Sequence, residues 1–387
     1  MASTAQHGWP MVRLGEVLRA AGVPEKISSP ETESFITVKM HGEGAVQRNI
    51  GAGKTPAAFT GYRVKEGQFI YSRIDARNGA FALIPSTLDG AVVSKDFPIF
   101  EIDESRCMPK YLHYFATSGI LAAKAKALSF GATNRQRVKE EAFLRFEIPL
   151  PPLAEQRRIA TILDEARVQT NQSDEAGTLL NTMTSSWLST RSQSVPGVKL
   201  SELGTFRGGM TPSKKNPEFW GGDVYWFTTK DLKFGEVDES EERITDRALE
   251  ETSASLIGEP SIAFSLRGMS LAHRLPMSCI PGEATVNQDL KAFVPNQSMD
   301  RDVIFHLVKL KEMELLSKVS TSAHGTKKLD LRHLKDLEIP DPSGEFGFEV
   351  RRVLEQIRDM QEQIRRRQAA SAKLFQALST RAFQGEL

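Results

Sequence analysis

Short apolar runs broken by turn residues dominate residues 11–150. Gly67-Gln68-Phe69-Ile70-Tyr71-Ser72 and Ala91-Val92-Val93 read as strands bounded by Gly, Pro and Asp. The period then changes: over Lys110 to Leu128, Tyr111, Tyr114, Phe115 and Ile120 fall on one side of a helix. Residues 196–340 repeat the plan. Val224-Tyr225-Trp226-Phe227 and Ser261-Ile262-Ala263-Phe264 are strand-like, and Asp302 to Val319 is the matching helix.

Between and after these stretches lie two longer helical patterns. In the first, Ile159, Ile162, Ala166, Gln169, Ser173, Ala176, Leu180, Met183 and Trp187 alternate spacings of three and four. In the second, Val350, Val353, Ile357, Met360, Ile364, Arg367, Ser371, Leu374 and Leu378 do the same. Seven of nine positions in each seam are apolar, which is the pattern of a coiled coil. About 37 residues at 1.5 Å each predict rods of roughly 55 Å.

The chain also repeats itself literally. Val93-Ser94-Lys95-Asp96-Phe97-Pro98-Ile99-Phe100 recurs as Val286-Asn287-Gln288-Asp289-Leu290-Lys291-Ala292-Phe293, and Leu188-Ser189-Thr190-Arg191 recurs as Leu378-Ser379-Thr380-Arg381. Phe146-Glu147-Ile148-Pro149 and Leu337-Glu338-Ile339-Pro340 each precede a long helix. The expectation is an α+β protein of two tandem domains with mixed α/β cores, 1–150 and 196–340, separated and followed by long helices, 151–195 and 341–387. A unit of about 190 residues is too long for a solenoid repeat. A duplicated unit suits a partner contacted at two places.

Composition narrows the class. At 387 residues each half can bury its own core, and 40% hydrophobic with 26% charged residues is ordinary for a globular protein. Cys107 and Cys279 make no disulfide framework and no metal-ligand spacing, which fits a reducing cytoplasm. Met1 to Pro10 has no basic flank or apolar core of a secretory signal, and no apolar run approaches the roughly 18 residues of a membrane span. Net charge is only +1. Residues 11–150 hold 19 Lys/Arg against 15 Asp/Glu, and residues 196–340 hold 19 against 22. Any grip on nucleic acid must therefore be a local face.

Several familiar chemistries fail on spacing. Gly51-Ala52-Gly53-Lys54-Thr55 has Arg48 where a phosphate-binding loop needs its first glycine, and Pro56 removes an amide from the helix start. Gly42-Glu43-Gly44 has Gln47 in place of the third glycine of a dinucleotide fingerprint. There is no His-Glu-x-x-His, no Gly-x-Ser-x-Gly, and no Asn- or Asp-Pro-Pro-aromatic tetrapeptide to hold an amino group for methyl transfer. No catalytic residues and no metal ligands are nominated.

One string is specific. Ile148-Pro149-Leu150-Pro151-Pro152-Leu153-Ala154-Glu155-Gln156-Arg157-Arg158-Ile159 stiffens a domain exit and places Glu155 in the first helical turn, where the helix dipole favours it. It resembles the junction of the specificity subunits of type I restriction-modification systems. Gly208-Gly209-Met210-Thr211-Pro212-Ser213, followed by Trp220, Gly221-Gly222 and Trp226-Phe227-Thr228-Thr229-Lys230-Asp231-Leu232, is similar to the opening of that family's target-recognition domains. So is Gly-x-Thr before each exit, in Gly131-Ala132-Thr133 and Gly325-Thr326 with its preceding His324. The first domain lacks the Gly-x-Thr-Pro-Ser opening, and the second junction, Ile339-Pro340-Asp341-Pro342-Ser343-Gly344, lacks Pro-Pro-Leu-x-Glu-Gln.

The resemblance implies a non-catalytic subunit whose two target-recognition domains each read half of a split site on double-stranded DNA. It implies an antiparallel helix pair that spaces them, two methyltransferase subunits docked on it, and motor-nuclease subunits as further partners. S-adenosylmethionine, ATP and Mg would belong to those partners, with no cofactor in this chain and no membrane partner. Candidate DNA contacts are Arg73, Arg77, Arg135 and Arg137 in the first domain. In the second they are Lys214, Lys215, Thr229, Lys230, Arg267, Lys327 and Lys328, because arginine reads guanine and lysine grips phosphate. With the rods level, Ile159 faces Leu378 and Ser173 faces Ile364. Gln169 then meets Arg367 and Gln368 in a polar layer shared with Ser173 and Ser371. The rival is a two-domain coiled-coil scaffold that does not read DNA.

Overall fold

The structure, a computed structural model, describes residues 8–50, 55–128, 137–322 and 325–387. It divides into two compact units, Met1–Glu175 with Arg365–Leu387, and Ala176–Ile364. Each unit holds one α+β domain and part of both long helices.

In the first unit an antiparallel sheet runs in the order Leu18–Ala20, Ile99–Ile102, Phe69–Tyr71, Phe81–Leu83. Alternation puts Phe69, Tyr71, Phe81 and Phe100 into one core, where Tyr71 and Phe143 stack with centroids 4.3 Å apart. The expected helix from Lys110 to Leu128 is two helices, Pro109–Thr117 and Ile120–Ala127. Gly119 turns left-handed between them, with φ 91, a backbone that other residues rarely adopt. Tyr111, Leu112 and Phe115 face the sheet core from the first of these.

The second unit builds the same sheet: Gly204–Gly208, Leu290–Pro295, Ser261–Ser265, Met277–Ile280. Register repeats as well as order. Phe100 pairs with Phe69, and 193 positions on Phe293 pairs with Ile262. The Ile-Pro exits are strands too. Glu147–Pro149 pairs with Met11–Arg13, and Glu338–Pro340 pairs with Gly197–Lys199, with Ile148 and Ile339 wholly buried. Proline donates no backbone hydrogen bond, so each strand stops there and the chain turns into the long helix. The plan diverges in a second lobe. Val92–Val93 runs antiparallel to Phe59–Arg63, whereas Ala284–Val286 runs parallel to Trp220–Phe227.

The long helices are Leu153–Ser192 and Gly344–Gln384, each about 60 Å at 1.5 Å per residue. They pair antiparallel in both units. In the first, Gln368 Nε2 donates to Asp174 Oδ1 at 2.7 Å, and in the second Gln361 Nε2 donates to Asn181 Oδ1 at 3.0 Å. In neither unit is the register the level one: the residues opposite one another are displaced by about five positions, roughly 7 Å.

The contacting face also differs from the expected seam. Ile159, Ala166 and Ser173 are inside, but the intervening contacts are Leu163, Gly177 and Thr184 rather than Ile162, Ala176 and Met183. On the second helix Leu354 is buried, while Met360 and Leu374 are exposed. Small residues win because they let the backbones approach; Gly177 would place a Cβ only 3.8 Å from Ile364 Cγ2. The polar layer changes accordingly. Ser173 and Ser371 are buried, Ser173 donating to its own helix at Gln169 O (3.1 Å), while Gln169 and Arg367 stay on the surface.

Candidate nucleic-acid interface

In the second domain, the loops that follow strands Trp220–Phe227, Ser261–Ser265 and Ala284–Val286 meet at one edge. The first of these loops is fixed by Asp231. Its Oδ2 accepts from Thr228 N (2.7 Å) and Oγ1 (2.8 Å), and its Oδ1 accepts from Glu241 N (2.8 Å). That holds Thr229 beside the neighbouring strand, where its hydroxyl lies 2.8 Å from Ser265 Oγ. Lys230 projects into the open cleft of about 630 Å³ that the loops enclose with Asn287 and Asp289.

Arg267 follows the Ser261–Ser265 strand. Its side chain is 56% exposed and its guanidinium lies 3.9 Å from Asp289 Oδ1. The backbone of Arg267 bridges to Lys328, which brings in the small hairpin Ser320–Thr321 with Lys327–Lys328. Lys327 Nζ donates to Thr321 Oγ1 at 2.8 Å. Thr229, Lys230, Arg267, Lys327 and Lys328 are thus neighbours, although the sequence spreads them over a hundred positions.

Lys214, in the loop opened by Gly208-Gly209, lines the same cleft, with Lys215 next to it in the chain. Lys214 is clamped: its ammonium sits 3.7 Å above the Trp220 ring, 5.3 Å from Trp226, and pairs with Glu242. The tryptophans hold the loop in turn, Trp226 Nε1 donating to Met210 O at 2.9 Å. Gly209 is obligatory on packing grounds, because a Cβ there would meet the Val286 carbonyl oxygen at 1.7 Å. Lys215 is exposed.

In the first domain, Arg73 and Arg137 come together. Arg73 pairs with Glu140 at 3.2 Å, with its Nε buried and unpartnered. Arg137, 54% exposed, pairs with Asp96 at 3.2 Å. Arg77 is elsewhere, lining a cleft of about 410 Å³ with His41, Thr117 and Phe375. Arg135 lies outside the described residues, as do Gly131-Ala132-Thr133 and His324.

The carboxylates of Asp96 and Asp289 were not among the nominated residues. The signal for them was the repeat itself, since Val, Asp and Phe are the letters its two copies share at matched places.

Among the described residues one trio could offer a metal close donor atoms: Glu236, Cys279 and Asp302. Arg301 bridges it, 2.7 Å from Glu236 and 3.1 Å from Asp302, and Arg358 also pairs with Asp302. Burial pushes the Cys279 thiol well up, against the ionised form that binds metal. Guanidinium groups fill the place of a cation, and the cluster is an ion-pair network. Among the same residues no helix is long and apolar enough to cross a membrane.

Two copies of one four-stranded sheet order, each followed by an exit strand and a long helix, define a tandem-domain protein. The chain belongs to the family described as type I restriction modification DNA specificity domain, which matches residues 6–175 and 195–368. It is 29% identical over 251 residues to the specificity subunit of the type I restriction enzyme EcoR124I/EcoR124II of Escherichia coli, covering 62% of this chain and 61% of that protein. It is 30% identical over 168 residues to the MjaIX specificity subunit of Methanocaldococcus jannaschii, covering 42% of this chain and 37% of that one. The matched stretches therefore span less than two thirds of either relative. A solved chain, from a structure of complex assembly and conformational transition in a type I R-M system, shares the fold over 100% of both chains with TM-score 0.60 and 19% identity.

Proposed function

We propose that this chain is the non-catalytic DNA-recognition subunit of a type I restriction-modification complex, each domain reading one half of a bipartite duplex target. The observation that carries the reading is the duplication: one sheet order, one exit strand and one loop edge, built twice in a DNA specificity family. Reading bases needs polar side chains in a groove and grips on phosphate, not an acid, base or metal. The long helices set the interval between half-sites. Their exposed apolar side chains, Val168, Leu179 and Met183 on one and Met360 and Leu374 on the other, offer a surface to two methyltransferase subunits. S-adenosylmethionine, ATP and Mg then belong to those and to motor-nuclease partners, in the cytoplasm.

The test is selection from random duplex by the chain together with its methyltransferase partner. A two-part consensus is expected, and exchanging residues 11–150 for another such domain should change one part only. No enrichment would favour the scaffold reading; a swap that alters both parts would contradict independent readers. Within the second half, Arg267→Ala should weaken specific binding by roughly 1–3 kcal/mol if the guanidinium reads a base. Unchanged affinity would remove it from the interface.

A further inference from the structure

The two domains share a backbone junction as well as a sheet. In the first, Arg73 N donates to Asp96 O (2.8 Å) and Val138 N donates to Arg73 O (2.9 Å). In the second, Leu266 N donates to Asp289 O (2.9 Å) and Leu329 N donates to Leu266 O (3.0 Å). Arg73 and Leu266 are 193 positions apart, as are Asp96 and Asp289, so the first hydrogen bond recurs between matched places; the second returns to the same matched acceptor, from donors 191 positions apart. At each junction the aspartate side chain engages an arginine from a neighbouring segment, Arg137 at 3.2 Å and Arg267 at 3.9 Å. The arginines themselves do not match. Arg267 corresponds to Ile74, and Arg137 lies beside Val138 where Lys328 lies beside Leu329. The frame is kept and the side chains on it are exchanged.

We propose that this junction is the reading edge of each domain, with Asp96 and Asp289 as its positioning residues and the mismatched side chains as what makes the two half-sites differ. The inference rests on the DNA-reading function and assigns its residues. A lone exposed arginine binds any phosphate. Phosphate and the O6 and N7 of guanine both offer two acceptors to a guanidinium, but the phosphate is an anion that a neighbouring carboxylate repels, whereas the guanine edge is uncharged. The aspartate beside the arginine thus discriminates against the backbone common to all duplexes. Lys95 and Gln288, exposed immediately before each aspartate, are matched positions where charge differs between the domains.

The experiment uses the full chain with its methyltransferase partner. Dissociation constants for the selected target and for a scrambled duplex are measured across a salt series. Asp289→Asn should tighten the scrambled duplex, steepen its salt dependence, and lower the specific-to-nonspecific ratio on the order of ten-fold. Only the half-site of the second domain should relax, and Asp96→Asn should relax the other. Asp289→Glu should restore part of the ratio, which a generally loosened domain would not do. Gln288→Lys, at an exposed position, tests the edge without touching the aspartate and should alter base preference in the second half alone. An unchanged ratio in folded Asp289→Asn, parallel weakening on both duplexes, or a Gln288→Lys consensus identical to wild type would overturn the assignment. A wild-type complex with no preference among duplexes would instead overturn the DNA-reading function beneath it.

Discussion

Single residues already show how each domain is fastened to its helices. His113 and His306, 193 positions apart, sit on helices Pro109–Thr117 and Arg301–Leu310. Burial, aided by Arg167, lowers the His113 imidazole to about 4, and burial also lowers His306. The fold therefore holds both neutral. As pH falls below the ordinary value near 6.5, the unfolded chain takes up protons that the folded chain refuses, so stability present at neutral pH is lost between about 6.5 and 4. Thermal melts should fall across that window, and His113→Gln should flatten the fall by roughly 3 kcal/mol. Asp302 works oppositely. Burial alone would raise its carboxyl, but Arg301 and Arg358 outweigh it and hold the group below the usual carboxylate range. Its contribution is present above the unfolded pKa and disappears only in acid. Asp302→Ala at neutral pH leaves the half-buried Arg301 with Glu236 alone, and should cost roughly 2–3 kcal/mol by denaturant titration.

Elements were legible in the sequence where periodicity and repetition agreed, and less so where contact depended on size. The sheet strands and the two long helices could be read from alternation and heptads. Which stripe of each helix faces the other could not, because hydrophobicity favoured Met183 and Met360 while close approach required Gly177 and Ser173. The nominated basic residues show the same limit. Thr229, Arg267 and Lys328 meet only because three loops converge, and no local pattern announces convergence; the repeated aspartate was the trace that did. Two glycines on the long helices separate the physical effects. Gly177→Ala adds a methyl at ordinary contact distance from Ile364 and removes backbone freedom, so it should stabilise the second unit by about 0.5–1 kcal/mol. Gly347→Ala would drive its methyl to 1.7 Å from Pro342 O, and should lower the melting temperature instead.

For the molecule as a whole, the division into units cuts across chain order. The first unit is completed by the last segment, Arg365–Leu387. There Phe383 lies 5.2 Å from Phe115 and 5.7 Å from Tyr111, both edge-on, and Ala382 is fully buried beside it. Phe383→Ala should therefore cost about 3–4 kcal/mol. Hydrogen exchange should locate the loss in residues 109–127, at the other end of the sequence; a loss confined to the second unit would contradict the division. The same contact sets a clock on synthesis. At roughly 5–20 residues per second, the ribosome takes on the order of 10–40 seconds to pass from the end of the first helical half to the closing segment. Through that interval the earliest domain stands with Tyr111 and Phe115 uncovered, a nascent surface open to chaperones until the final turns of helix arrive to seal it.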